Sequence, residues 1–300
     1  MHISMERQQF LKILGMGIVA SAGGALSLKT FASGIKETVD SEKKMPVLFL
    51  GHGSPMNTIE ENDFTKALNK LGKEINPRPR AILCISAHWL TKGTFVQSQA
   101  HPQMEYDMYG FPDELYKFKY PAPGSPETAK EVQGMVKKTE VKPDTEWGYD
   151  HGNYSVMTHL YPNADIPVFQ LSIDYHKPMA YHYELAQELV ALRKKGILII
   201  GSGNITHNLR VNEFGNENAK PYDWALEFDH TMKTYLDEGN YQGLIDYKKL
   251  GKIAKLAHPE PSHYIPLIYS AALQEKGDAI SYPYDKIVYG TFSMRCAKIG

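Results

Sequence analysis

The sequence contains little cysteine and almost no net charge, and both shortages exclude classes of protein. Its 300 residues include two cysteines, Cys84 and Cys296, which are far apart and outside any Cys-x-x-Cys pair. Zinc ribbons and thioredoxin-like redox sites are therefore not expected, and each cysteine is predicted to be a small buried hydrophobic residue. A net charge of −1 gives no electrostatic reason to expect nucleic acid or an anionic membrane as a partner.

Two common catalytic signatures are also missing. The Gly-Ser-Gly segment at residues 201–203 is not followed by the Gly-Lys-Ser/Thr of a phosphate-binding loop. The segment Gly51-His-Gly-Ser-Pro does not match the Gly-x-Ser-x-Gly elbow of serine hydrolases. The chain shows no internal repeat and no low-complexity tract, so its chemistry must come from other polar residues of an ordinary globular sequence.

An apolar run without charged residues lies near the N-terminus, over residues 13–28. It is short and rich in glycine, so it is not predicted to be a membrane span. A basic segment precedes it and small residues follow it near Phe31, a pattern typical of an export signal. Arg7 and the residues after it resemble a twin-arginine leader with one arginine missing. Residues 1–44 are thus expected to be a leader and linker of a periplasmic protein, which would touch a membrane only through an uncleaved leader; a cytoplasmic location is the alternative.

From Met45 onward, buried apolar runs alternate with amphipathic segments. This alternation predicts an α/β fold over residues 45–300, a single layered domain with a central mixed, largely parallel sheet flanked by helices. Gly196 is expected to end the second helix, and residues 101–126 form a long loop of the kind that is often functional. The predicted strands are 46–50, 81–85, 166–173, 197–200 and 287–294, and the predicted helices are 63–71, 181–194 and 224–236.

Three histidines follow the ends of predicted strands. His52 follows the strand at 46–50, His88 the strand at 81–85, and His207 the strand at 197–200. In open α/β sheets, ligands bind beyond the carboxyl ends of the strands. These imidazoles are therefore expected to meet at one edge of the sheet, where they would form either a metal site or an acid–base site.

Two further histidines have informative surroundings. His151 follows Asp150 in a segment predicted to be a loop, and His263 lies between Pro261 and an apolar run. Each has a simpler alternative, a solvated loop residue for His151 and a residue at a helix start for His263. Imidazole suits zinc, iron, copper and nickel, and a catalytic metal keeps positions open for water or substrate. Because a closed structural site of histidines alone is unusual, this set favours catalysis.

Taken together and in order, these segments resemble the class III extradiol ring-cleavage dioxygenases, and most closely their DOPA 4,5-dioxygenase-like branch. The resemblance runs from about Pro46 to the C-terminus and leaves out the leader. It is carried by the motifs Gly-His52-Gly-Ser-Pro-Met, Ser-Ala-His88-Trp, Trp-Gly-Tyr-Asp-His151-Gly, Gly-Ser-Gly-Asn-Ile-Thr-His207-Asn-Leu and Pro-Ser-His263-Tyr.

The resemblance implies an enzyme that opens the ring of a DOPA-like catechol with incorporation of both atoms of O2. One divalent metal per chain would be bound by His52, His88 and His263. By the same resemblance His151 is the active-site acid–base residue, and His207 is either a further ligand or a base. Other class III enzymes use two histidines and one glutamate, so a histidine at position 263 alters the usual ligand set.

The sequence leaves alternatives open for the identity of the metal and for the reaction class. Fe(II) would serve oxygen chemistry, whereas zinc is often the metal found bound in similar proteins and has no redox chemistry. The first rival function is a zinc hydrolase in which metal-bound hydroxide attacks an ester or amide. The second rival is a metal-binding protein without catalytic activity.

Overall fold

The computed structural model describes residues 44–300. The predicted export signal falls on residues 1–43 and so lies outside the described residues. Within residues 44–300, none of the helices is long and apolar enough to cross a membrane.

Strands and helices alternate along the described chain, with short 3-10 turns between some of them. The strands are β1 Val47–Gly51, β2 Ala81–Ser86, β3 Leu90–Thr91, β4 Thr94–Gln97, β5 Val141–Asp144, β6 Val168–Gln170, β7 Ile173–Asp174, β8 Ile197–Gly203, β9 Ile280–Tyr284, β10 Ile287–Val288, β11 Phe292–Ser293 and β12 Cys296–Ile299. The α-helices are α1 Asp63–Glu74, α2 Asp113–Lys117, α3 Pro126–Met135, α4 His151–Leu160, α5 Met179–Gln187, α6 Asp223–Asp237, α7 Tyr241–Ile245, α8 Lys252–Ala257 and α9 Ile265–Ala272.

The main sheet has six strands in the order β6-β2-β8-β1-β12-β9. Strands β6, β2, β8 and β1 pair in parallel, whereas β12 is antiparallel to β1 and β9 is antiparallel to β12. This is the mixed, largely parallel sheet that the alternating sequence pattern predicts. Because β2, β8 and β1 are neighbours and run the same way, their carboxyl ends lie side by side at one edge.

Both faces of the sheet are covered, which explains the continuous apolar runs of its parallel strands. Alternate side chains such as Phe49 and Ile199 belong to a core shared with α5 and α9. The intervening residues, such as Leu50 and Ile200, belong to a second core shared with α1 and α4. Cys84 and Cys296 are buried free thiols, as predicted.

Two of the predicted strands are wrong in their extent. The run at 166–173 divides into β6 and β7, because the Ser172 hydroxyl accepts a hydrogen bond from the Phe95 backbone N–H (2.8 Å) and the chain leaves the main sheet there. The run at 287–294 is a hairpin of β10 and β11, which turns at Tyr289 and Gly290, both with positive φ. The strand that completes the main sheet is instead β12.

The predicted helix at 181–194 begins earlier and changes type along its length. It starts at Met179, is α-helical to Gln187, and continues as a 3-10 turn over Val190–Lys195. Gly196 ends this turn with φ of 75°, in the left-handed region that glycine adopts without strain. The predicted stop at this glycine is confirmed.

Candidate metal centre

The carboxyl ends of β1, β2 and β8 bring His52, His88 and His207 to the same edge of the sheet. Gly51 pairs with Gly203 and Ser86 with Ser202, so the three strands end in register. The expectation that these three histidines meet at one edge of the sheet is therefore confirmed. His263 reaches the same edge from the turn before α9, where its carbonyl accepts a hydrogen bond from the Asn204 backbone N–H (2.9 Å).

A close approach between β8 and the turn before α9 depends on Gly203. A Cβ atom at this position would lie 2.3 Å from the carbonyl oxygen of His263. No side chain fits such a gap, so glycine allows the two backbones to touch. This contact places the imidazole of His263 beside those from β1 and β2.

His52, His88 and His263 form a group whose ligand nitrogens all lie within 4.8 Å of one another. The Nε2 atoms of His52 and His88 are 3.2 Å apart. The ring of His263 lies 5.2 Å from that of His52 and 4.9 Å from that of His88, measured between centroids. All-imidazole sets of this size suit zinc, iron, copper or nickel.

Polar neighbours engage Nδ1 of His52 and of His88 and leave the two Nε2 atoms for a ligand. The single proton of the Ser202 hydroxyl is donated to the Gly152 carbonyl, so that hydroxyl accepts from Nδ1 of His52 at 3.1 Å. The carboxylate of Asp107 lies 3.0 Å from Nδ1 of His88. With both Nδ1 atoms engaged, the two Nε2 atoms face each other at 3.2 Å inside a buried site. A metal ion bound there would take both nitrogens as ligands, so the residues fit a bound metal ion.

The electrostatics of the group favour the neutral, ligand form of imidazole. Burial lowers the pKa of His52 well below its usual value, and the neighbouring His88 adds to the effect. Burial likewise lowers the pKa of His263 well below its usual value, with His207 contributing. The Ser262 hydroxyl lies 3.2 Å from Nδ1 of His263, which leaves Nε2 of that ring for a ligand bond. A metal binds imidazole only when it is unprotonated.

His151 is the first residue of α4 rather than part of a loop, so that prediction is wrong. The Asp150 carboxylate caps the helix by accepting from the Asn153 backbone N–H (3.0 Å), and it also accepts from the Ser86 hydroxyl (2.6 Å). These bonds hold the start of α4 against the end of β2. The ring of His151 thereby lies 3.8 Å from that of His88, centroid to centroid.

His151 is neutral at physiological pH. Burial and the nearby His88 lower its pKa to about 4, against the opposing hydrogen bond to Asp107. Its Nδ1 lies 2.9 Å from the Asp107 carboxylate. For Asp107 itself, burial would raise the pKa, but the hydrogen bonds from His151 and His88 lower it well below its usual value. Asp107 is therefore an anion that contacts both histidines.

His207 lies in a stack of three aromatic rings. It is 3.6 Å from the ring of His263, nearly parallel at 5°, and 4.7 Å from the ring of Phe292 on its other side. Within residues 44–300, two groups of side chains have all their possible ligand atoms within 4.8 Å of one another. The first is His52, His88 and His263, and the second is His88, Asp107 and His151; neither includes His207. Burial, with His258 next in importance, lowers the pKa of His207 to about 3.

A cavity of about 260 Å³ opens beside His207 and His263. Its other lining residues are Leu209, Arg210, Pro259, Glu260 and Ser262. The cavity is thus lined by two histidines of the site and by one side chain of each charge, Arg210 and Glu260.

The comparison with known families matches almost the whole of the described chain. A family model described as the catalytic LigB subunit of aromatic ring-opening dioxygenase covers residues 46–292. This chain belongs to the LigB family. LigB-family dioxygenases use a single metal, and His52, His88 and His263 form a group that can hold one.

Named relatives of this LigB-family chain are similar over most of their length. The 4,5-DOPA dioxygenase extradiol of Escherichia coli K12 is 41% identical over 272 residues, which cover 89% of this chain and 98% of that protein. The 4,5-DOPA dioxygenase extradiol of Beta vulgaris is 37% identical, over 81% of this chain and 94% of that protein. A crystal structure of an uncharacterized protein from E. coli K12 has 39% sequence identity and a TM-score of 0.75, covering 86% of this chain and all of that one.

These findings confirm that the LigB-family chain is an extradiol ring-cleavage dioxygenase, as its motifs predict. The roles of the individual histidines stay predictions. The structure brings His52, His88 and His263 into one group, places His151 against His88, and stacks His207 on His263.

Sequence reasoning missed the residues that orient the histidines. Ser202 lies within the Gly-Ser-Gly segment and Ser262 adjoins His263, so proximity to a motif was an available signal for both. Asp107 lies in the long loop at 101–126, where only loop length pointed to function. Nothing in its local sequence, Tyr-Asp-Met, distinguishes it from a surface carboxylate.

Proposed function

We propose that this LigB-family chain is an Fe(II)-dependent extradiol dioxygenase for a catechol whose side chain carries a carboxylate, as in DOPA. The observation that carries the proposal is the pair of facing Nε2 atoms of His52 and His88, 3.2 Å apart and closed by His263, with neutral His151 beside them. The two relatives named as 4,5-DOPA dioxygenases support the substrate class.

His52, His88 and His263 would hold the metal. Bound Fe(II) would supply the redox chemistry that lets a catechol react with O2, which Zn(II) lacks. The three histidines come from three separate segments, which end at one edge of the sheet. The space beside His207, together with the adjoining cavity, is then available to the catechol and to O2.

His151 would act as the acid–base residue of the reaction. Its Nδ1–H is held by Asp107, so Nε2 is the nitrogen able to accept a proton from a catechol hydroxyl. The resulting imidazolium would be stabilised by the Asp107 carboxylate and could return the proton during ring opening. His207 is the second candidate base, because its low pKa also keeps it neutral.

The cavity beside His263 would hold the side chain of the substrate. Arg210 lines it and, among the described residues, its side chain forms no ion pair, so its guanidinium is available to a carboxylate. Glu260 lines the same cavity and would attract an ammonium group. A side chain that carries both charges, such as that of an amino acid, matches this lining.

Oxygen consumption by reconstituted protein tests the proposed function. The purified protein is loaded with Fe(II) without air, mixed with L-DOPA, and then exposed to O2. We expect coupled oxygen uptake and a yellow ring-opened product with iron, neither with zinc, and slower turnover of dopamine, which lacks the carboxylate. Absence of uptake across a panel of catechols, with iron shown to be bound, would contradict the proposal and favour the zinc hydrolase. Equal turnover of L-DOPA and dopamine would contradict the role of Arg210.

Export is proposed as well, on the sequence pattern of residues 1–44 alone. Cell fractionation of the full-length protein should find a shortened chain in the periplasm, and a variant without residues 1–44 in the cytoplasm. A full-length chain that stays in the cytoplasm would contradict this.

A further inference from the structure

Asp107 makes an unusual set of contacts for a residue in a long loop. It lies between β4 and α2, and its carboxylate contacts three nitrogen atoms at the candidate centre. It accepts hydrogen bonds from Nδ1 of His151 at 2.9 Å and from the backbone N–H of His151 at 3.0 Å, and it lies 3.0 Å from Nδ1 of His88. One side chain thus connects a candidate metal ligand with the candidate acid–base residue.

These contacts determine the tautomers of both histidines. An ionised carboxylate has acceptors only, so each Nδ1 facing it must carry a hydrogen. A neutral imidazole with hydrogen on Nδ1 has its lone pair on Nε2. Nε2 of His88 lies 3.2 Å from Nε2 of His52, and Nε2 of His151 is the nitrogen left to accept a proton.

The contacts are not explained by capping of helix α4. The helix begins at His151, and the Asp150 side chain already accepts from the Asn153 backbone N–H at 3.0 Å. The Asp107 side chain is 13% exposed, so its contacts with the two imidazoles are shielded from bulk water. Its carboxylate is therefore placed for the two rings, not for the helix end alone.

We propose that Asp107 is a positioning residue shared by the metal centre and the acid–base site, which holds His88 in its metal-binding tautomer and His151 in its proton-accepting tautomer. This inference rests on the proposed function for the role of His151. A carboxylate behind a metal-binding histidine raises the basicity of the ring and fixes its orientation, and loss of such a partner commonly weakens metal binding.

The variant Asp107→Asn tests the proposal, because an amide presents one acceptor and one donor of nearly the same shape. At least one of the two Nδ1 atoms then faces an N–H group and must become an acceptor, which moves its hydrogen to Nε2. We expect about 10- to 100-fold weaker Fe(II) and Zn(II) affinity by chelator competition, and a lower kcat at saturating metal. The matched control is Asp113→Asn, an exposed carboxylate of the same loop region, which should leave both quantities unchanged.

Histidine tautomers in the metal-free wild-type protein give a second readout that needs no Asp107 variant. Long-range ¹H–¹⁵N NMR should show Nδ1–H and a bare Nε2 for His88 and His151, with signals assigned by their loss in His88→Ala and His151→Ala. Nε2–H in either ring would overturn the proposal even if Asp107→Asn does not fold. Unchanged metal affinity and unchanged tautomers in folded Asp107→Asn would also overturn it.

These readouts separate the positioning role from the proposed reaction. Wild-type protein without oxygen uptake, combined with weak metal binding and altered tautomers in Asp107→Asn, would contradict the proposed function and leave the positioning role standing. If the wild-type protein is active and Asp107→Asn matches it in metal affinity and in histidine tautomers, the proposed function stands and the positioning role is contradicted.

Discussion

Each ring of the proposed metal centre is oriented by a neighbour on its Nδ1 atom: Ser202 for His52, Asp107 for His88 and Ser262 for His263. This arrangement is expected where Nε2 atoms must be presented to a metal ion. It is also the part of the site that sequence patterns do not show. A histidine at a strand end can be recognised from the apolar run before it, whereas its hydrogen-bond partner depends on how separate segments meet.

Removal of a single imidazole from the centre should abolish stoichiometric metal binding. In His52→Ala and in His88→Ala, one of three ligand nitrogens is lost and the remaining two cannot close the site. Metal content after equilibrium dialysis measures the effect, and His176→Ala, an exposed histidine, is the control that should bind as wild type does. Stoichiometric metal in both His52→Ala and His88→Ala would contradict the ligand assignment.

His151→Ala should have the opposite pattern, with metal retained and turnover lost. Its ring contacts His88 and Asp107 but is not a member of the all-imidazole group. Because a positioned acid–base residue commonly contributes about 100- to 10,000-fold to rate, kcat should fall by that order at saturating iron. Oxygen uptake and metal content measured on the same samples decide it, and full activity would exclude the acid–base role.

At the scale of elements, the sequence pattern predicts most accurately the strands that are buried on both faces. Strands β1, β2 and β8 follow from continuous apolar runs, and their shared edge follows from their parallel pairing. The sequence does not indicate helix α4, because its N-cap, Asp150, adjoins a histidine and precedes no amphipathic apolar pattern. The hairpin of β10 and β11 was missed because a non-glycine residue, Tyr289, adopts a positive φ within an apolar run.

The contact between β8 and the turn before α9 can be tested with Gly203→Ala. A Cβ 2.3 Å from the His263 carbonyl must displace that backbone, and His263 moves with it. We expect unfolding to become easier by about 1–3 kcal/mol, as in overpacked cores, together with weaker metal binding. Urea unfolding and metal competition measure the two effects.

Gly134→Ala is the matched control, because a Cβ at this helical position meets nothing within 4 Å. The same substitution there should leave metal binding unchanged and stabilise the protein by up to about 1 kcal/mol, since alanine favours a helix. Equal metal affinity in Gly203→Ala and the wild type would show that the close approach does not position His263.

At the scale of the whole molecule, buried neutral histidines outside the centre should make the metal-free protein sensitive to acid. Burial lowers the pKa of His182 and of His258 to about 4. The unfolded chain takes up protons at these residues near pH 6.5, while the folded protein does not until about pH 4. Stability from the neutral rings is therefore complete above pH 6.5 and decreases as the pH falls toward 4.

Urea unfolding at pH 7.5 and pH 4.5 should show a loss of about 2–3 kcal/mol for each of these histidines. His182→Gln should reduce the loss by that amount, whereas His230→Gln, at an exposed position, should not change it. An identical loss in His182→Gln and wild type would contradict the buried neutral state of His182.

The fold class and the meeting of strand ends were predictable from the sequence because they follow from local apolar patterning and parallel pairing. The complete site was not predictable from the sequence. The loop that carries Asp107 and the hairpin that carries Phe292 pack at the site through long-range contacts, which no local sequence pattern specifies. The stack of Phe292, His207 and His263 is a further example, since it joins three segments distant in the chain.

Anomalous diffraction from crystals loaded with Fe(II) without air is the most direct test of the central claim. We predict a single peak at the iron absorption edge, at bonding distance from Nε2 of His52, Nε2 of His88 and a ring nitrogen of His263. A peak located instead between His88, Asp107 and His151, or no peak at the three histidines in crystals that contain one iron per chain, would contradict the account.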